Sequence, residues 1–186
     1  MKVNDRRVRK TRKSLYNALA ELMLTKELQQ ITVRELADKA DIHRATFYTH
    51  YKDIYDLYEK LEDIVIEDLE KIIVNESSNN YEKVFVEIID YVYNNKSICR
   101  IFLGESGKNS FNKRVSHFLE EKYKELWIYE SGENDITEQQ KFWVRYHIHG
   151  SLAILSRWAG HNFIHSKEEV ITISLKIDNV FDSFKL

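Results

Sequence analysis

The chain contains no proline, and its five glycines all lie at or beyond Gly104. These two residues break helices more effectively than any others. A chain of 186 residues without the first, and without the second over its first hundred positions, favours helices throughout. Apolar residues recur at three- and four-residue steps, and no segment sustains the two-residue alternation of a strand. There is no internal repeat. The expectation is an all-α fold of about nine helices, with a hydrophobic content of 43% to fill its core.

Coarse boundaries follow from the same periodicity. A first helix is expected from about Asp5 to Leu24, with Val8, Leu15, Leu19, Leu22 and Met23 inward. Two short helices follow within residues 32–52. A fourth runs from Asp53 to about Val74, with Ile54, Leu57, Leu61, Val65, Leu69 and Ile72 on one side. The fifth to seventh are expected at Tyr81–Asn94, Ser97–Leu103 and Ser110–Tyr129. Polar loops separate them at Asn75–Asn80 and Gly104–Asn109, and another follows at Ser131–Ile136. Thr137 with Gln140 opens an eighth helix running to about Gly160, and Ser166 with Glu169 opens a ninth running to the C-terminus.

Residues 32–52, TVRELADKADIHRATFYTHYK, carry most of the functional signal. Thr32 with Glu35 is a capping-box start, and Val33, Leu36, Ala37 and Ala40 form one buried stripe. Asp41 and Ile42 interrupt it; Asp tolerates the left-handed conformation that a tight turn needs. The second helix has Ala45, Phe47 and Tyr51 as apolar anchors. Its other positions, His43, Arg44, Thr46, Tyr48, Thr49 and His50, can hydrogen-bond to base edges and phosphates. Two short helices with such a face on the second read as a helix-turn-helix for the major groove of double-stranded DNA.

Charge is segregated in the same sense. Residues 1–13 hold seven basic side chains against one acid, Asp5. Residues 1–52 carry 12 Lys and Arg against 6 Asp and Glu, a net of +6, so the rest of a chain of net −2 carries −8. A basic end suits phosphates and an acidic remainder does not. The division expected is a helix-turn-helix domain at 1–52 and a helical regulatory and dimerisation domain at 53–186.

The block Thr32–Lys52 and the Asp53-Ile54-Tyr55-Asp56-Leu57 that follows resemble the DNA-binding domain of the tetracycline-repressor (TetR) family. Thr32, Val33, Leu36 and Ala37 stand where that family has Thr-Val/Ile-x-x-Ile/Leu-Ala. Thr46, Phe47, Tyr48, His50 and Tyr51 stand at its recognition helix, with Tyr51 where Phe is common. Lys52 and Leu57 stand at the start of its fourth helix. Asp41 replaces the usual turn glycine. The resemblance implies DNA binding through Thr32, His43, Arg44, Thr46, Tyr48, Thr49, His50 and Lys52, and a transcriptional regulator that is not an enzyme. The segment from Phe102 to Phe111, with Trp158-Ala159-Gly160, is loosely similar to dihydroxyacetone-kinase-type regulators of the family.

The last two helices suggest a second copy of the chain. Val170, Ile173, Ile177, Val180 and Phe184 are spaced 3, 4, 3, 4, a sustained heptad stripe. The eighth helix is apolar on nearly every side, which calls for burial on every side. Gly150 and Ala153 on it permit close approach of another helix. A homodimer through these helices is expected, and the TetR resemblance implies the same; an ordinary internal core is the alternative.

The resemblance also implies a small-molecule effector among the fourth to eighth helices. Trp143, Tyr146, His147 and Trp158 are the principal candidates, with Tyr91, Phe102, Phe118 and Trp127 behind them; plain core packing is the competing reading for each. His161 and His165 have the spacing of a zinc pair only if one helix runs through both, and Gly160 argues that it does not. No nucleophile motif, phosphate loop or cofactor-binding motif is present, and Cys99 is the only cysteine. With no secretory leader and no membrane-length apolar run, the expected place is the cytoplasm. The function expected is a dimeric, ligand-released repressor. The alternative is a co-regulator or structural DNA binder whose C-terminal domain binds a protein.

Overall fold

The structure is a computed structural model that describes residues 2–76, 81–103 and 110–182. Among them are nine α-helices and no strand: α1 (Lys2–Leu22), α2 (Val33–Lys39), α3 (Arg44–Tyr48), α4 (Ile54–Glu76), α5 (Tyr81–Asn94), α6 (Lys96–Leu103), α7 (Ser110–Ser131), α8 (Glu138–Gly160) and α9 (Lys167–Asp182). A single 3-10 turn, Leu28–Gln30, joins α1 to α2. The expected loop at Gly104–Asn109 and most of the one at Asn75–Asn80 lie outside the described residues.

Three helix starts follow their sequence signals. The Thr32 hydroxyl accepts from the Glu35 amide, but the Glu35 carboxylate pairs with Lys26 instead of completing the capping box. At Thr137–Gln140 and at Ser166–Glu169 both reciprocal bonds are made. The amide and hydroxyl of Ser166 hold the Glu169 carboxyl below its usual range. The turn between α2 and α3 places Asp41 at φ 53°, the left-handed conformation its sequence position calls for.

The core is continuous from one end of the chain to the other. Leu15, Leu19, Leu36 and Phe47 are buried among α1–α3, and Ile54, Leu57 and Leu61 carry the cluster along α4 into Phe102, Val115, Leu155 and Val170. Helix α1 packs on α6 as well as on α2. It starts three residues earlier than the periodicity predicts, so the basic N-terminal run is helical from Lys2.

Burial along the last two helices is uneven, and one expectation needs correction. Within the protomer α8 is not covered on every side: Phe142 is 75% and Tyr146 61% exposed. The heptad stripe of α9 is split. Val170 and Ser174 face the core, while Ile173 (51%) and Ile177 (39%) face outward. The inward face is the one with Ser174, a small polar residue that breaks the apolar pattern read from sequence. The side chain of Val180 and all of Phe184 lie outside what the structure describes.

Candidate DNA-reading face and buried cavity

Helix α3 is held from beneath by aromatic packing. Phe47 is fully buried, with its ring centroid 5.6 Å from that of Tyr51. The Tyr51 hydroxyl lies 3.2 Å from the Tyr16 hydroxyl of α1, and burial pushes its pKa upward. These contacts fix the roll of α3 about its axis. They leave His43, Arg44, Tyr48, Thr49 and Lys52 exposed, with Thr46 and His50 half-buried. Ala45 is exposed too, which corrects its reading as an anchor: the helix is five residues long and presents only one side to the core. Thr32, also exposed, is engaged in its cap.

The start of α4 is tied to this face. The Lys52 amide donates to the Asp56 carboxylate at 2.8 Å, and Lys60 Nζ reaches the same oxygen at 2.9 Å and the His50 carbonyl at 3.3 Å. The amide of Lys52, then the Lys60 ammonium, hold the Asp56 carboxyl below its usual range. The exposed basic side chains of α1 (Arg6, Arg7, Arg9, Lys10, Arg12 and Lys13) lie in the same N-terminal helical unit.

A cavity of about 130 Å³ lies among α4, α5, α6, α7 and α8. Its wall is mostly aliphatic: Val65, Leu69 and Ile73 of α4, Ile88 of α5, Leu119 of α7, Leu152 and Leu155 of α8, with Phe85, Phe102 and Phe111. Tyr91, Cys99, Lys122, Tyr123, His147 and Ser151 supply its polar atoms. Burial pushes the Cys99 thiol up to about 12, so it acts as a small apolar wall residue near neutral pH. Helix α4 thus contributes to the cavity wall with its later turns and adjoins α3 with its first.

Residues 79–177 match the family model TetR_C_8, described as a transcriptional regulator C-terminal region. The chain belongs to the TetR family of transcriptional regulators. Solved structures share the fold. A TetR regulator from Streptococcus agalactiae is 23% identical with TM-score 0.59, over 94% of this chain and 97% of that one. The dihydroxyacetone kinase operon activator DhaS is 20% identical with TM-score 0.54, over 90% and 93%. FadR from Bacillus subtilis, in complex with stearoyl-CoA, is 15% identical with TM-score 0.60, over 89% and 96%. No curated protein matches the chain. The family consists of transcriptional regulators and not enzymes.

In this TetR-family chain the four principal effector candidates do not converge. His147 lines the cavity, and Trp143, which does not line it, stacks on the His147 ring at 5.2 Å. Tyr146, one position before His147 on α8, turns to the surface. Trp158 sits with Tyr93 and Phe163, its indole N–H donating to the His165 carbonyl at 2.9 Å. Both are therefore corrected as cavity residues. Of the secondary candidates Tyr91 and Phe102 line the cavity, whereas Phe118 and Trp127 do not.

The dimer candidates fall into two groups. Ala153, Ile173 and Ile177 are exposed, and a Cβ added at Gly150 meets open space. Val170 is committed to the protomer core. Helix α8 ends at Gly160, so His161 and His165 do not share a continuous helix. Among the described residues no helix is long and apolar enough to cross a membrane.

Sequence reasoning missed two features. One is the aliphatic cavity wall, which in sequence is indistinguishable from core. The other is a charge cluster between α4 and α7. Glu62 is buried at 6% exposure, and its Oε2 accepts from Arg114 Nη1 at 3.4 Å while Arg114 Nη2 donates to Asp63 at 2.5 Å. Glu62 is not among the apolar positions read along the fourth helix, and nothing in the sequence marks it as buried.

Proposed function

We propose that this TetR-family regulator is a homodimeric transcriptional repressor that a small molecule releases from its operator. The carrying observation is the path of α4, from the exposed α3 face at Lys52 to the cavity wall at Leu69 and Ile73. Residues 1–52 form the reading head and residues 53–186 the regulatory and dimerising part.

In this reading Arg44 and His43 enter the major groove first, with Thr46 and Thr49 beside them. Tyr48, His50 and Lys52 hold phosphates, and Thr32 stands at the start of α2 facing the backbone. A second copy covers the exposed face of α8 and α9 at Gly150, Ala153, Ile173 and Ile177, and sets the two reading heads one helical turn of DNA apart. An effector that fits the cavity only when α4 is displaced favours another spacing. Such an effector weakens operator binding as far as the operator weakens its own. That FadR, of the same fold, was solved with stearoyl-CoA supports a ligand-holding role for such a helical domain.

The test pairs genome-wide mapping of the DNA bound by the protein with transcript measurement in a strain lacking it. Transcripts beside the bound sites rise if the protein represses. Transcripts that fall or stay level on its loss contradict the repressor reading.

A further inference from the structure

We propose that the cavity takes an uncharged, slender, largely apolar molecule, a single ring or short chain with one hydrogen-bonding end, and discriminates against ions of the same size. This deepens the reading of the cavity as the effector site and rests on it for its regulatory consequence.

The polar and apolar ends of the cavity are set by how the helices run. Arg114 pairs with Glu62 and Asp63, and eight residues further along each helix Lys122 pairs with Glu70, so α4 and α7 run parallel. Helix α8 runs against them, with Trp143 beside Tyr123 and Ser156 bonded to the Leu103 carbonyl. Phe102, Val115 and Leu155 therefore close the end nearer the reading head. Lys122, Tyr123 and His147 stand at the other. A bound molecule lies with its apolar body towards Phe102 and its polar group towards Tyr123.

Charge balance at that end argues against an ion. Among the described residues Lys122 is the lining residue with a fixed charge, and its ammonium already lies 2.9 Å from Glu125 and 3.5 Å from Glu70. A carboxylate entering there meets two carboxylates around one ammonium. An ammonium ion entering meets an apolar wall to which no acidic side chain among the described residues contributes. Either ion gives up its hydration without a free counter-charge, while a hydroxyl or carbonyl needs only one hydrogen bond.

Volume fixes the size. The cavity's 130 Å³ is well below the roughly 300–1,000 Å³ of clefts that hold drug-sized ligands. It is close to the roughly 150 Å³ of an engineered apolar cavity that binds benzene.

The test is calorimetric titration of the full-length protein at pH 8 with hexan-1-ol, hexanoate and hexylammonium. The alcohol is expected to bind at least about tenfold more tightly than either ion. Hexanoate or hexylammonium binding as tightly as the alcohol, or no binding of the alcohol, overturns the proposal. Leu119→Trp and Ser151→Phe each add bulk inside the cavity and are expected to abolish alcohol binding. Undiminished binding in either folded variant overturns the site. Operator affinity measured on the same samples separates the two readings. An alcohol that binds without changing operator affinity supports the ligand class and contradicts the effector role. Operator release by hexanoate and not by the alcohol overturns the ligand class and leaves the effector role standing.

Discussion

Arg114→Met tests the physical account of the join between α4 and α7. Arg114 is 47% exposed, while its partner Glu62 is buried with Oε1 unpartnered among the described residues. Burial pushes the Glu62 carboxyl above its usual range, and the Arg114 guanidinium pulls it partly back. Methionine keeps much of the side-chain volume and removes the charge. Breaking a fully buried pair costs about 3–5 kcal/mol. Here the Arg is half in water and Glu62 can take a proton, so the expected loss at pH 8 is about 1–3 kcal/mol. The surface contact with Asp63 adds at most about 1 kcal/mol.

The sign with pH is fixed. A carboxyl whose folded pKa is raised contributes stability that is present below its unfolded pKa, about 4.3 for Glu, and lost as pH rises through the folded value. Removing Arg114 moves that folded value higher still. The gap between wild type and Arg114→Met is therefore smallest near pH 4, opens as pH rises, and is full above the variant's folded pKa. Urea unfolding at fixed protein concentration, at pH 4 and pH 8, measures it. In a Glu62→Gln background the pH-dependent part of the gap shrinks to the small share that the Asp63 contact leaves. A gap of equal size at both pH values, or one unchanged by Glu62→Gln, refutes the reasoning.

Three further outcomes are expected. Arg44→Ala relaxes sequence preference by about 1–3 kcal/mol at the contacted base pair, whereas Lys52→Ala weakens binding to all sequences alike; competition binding against base-substituted sites distinguishes them. Deleting residues 1–7 removes Lys2, Arg6 and Arg7 and the first turns of α1, and flattens the slope of log affinity against log salt in a filter-binding titration. Ile173→Asp with Ile177→Asp places two charges on the exposed α9 face; it leaves the protomer folded, and sedimentation shows a monomer with weakened operator binding.

The helical framework was legible because its signals are local. Thr32, Thr137 and Ser166 cap helices through side chains within three residues, and Asp41 turns the chain by its own conformational tolerance. Phe47 and Tyr51 were legible as anchors because they are large, largely apolar side chains four positions apart, which puts them on one side of the segment. What failed to show in sequence depends on the third dimension. Trp158 and Tyr146 have the same aromatic character as cavity residues but are turned elsewhere by the angular positions of their α8 residues. The α9 stripe looked like one face because Ile and Val at heptad spacing do not reveal which side Ser174 occupies. Leu119 and Leu152 border a void, and no sequence pattern separates a wall from a filled core.

The central claim is that the α3 face reads DNA as one half of a symmetric pair. Hydroxyl-radical footprinting of the purified protein on a bound genomic site tests it most directly, with Arg44→Ala alongside. The account predicts protection in two symmetric half-sites with centres about 34–36 Å apart, and loss of that pattern at equal protein concentration in the variant. A single unsymmetric patch, or a footprint that Arg44→Ala leaves intact, contradicts it.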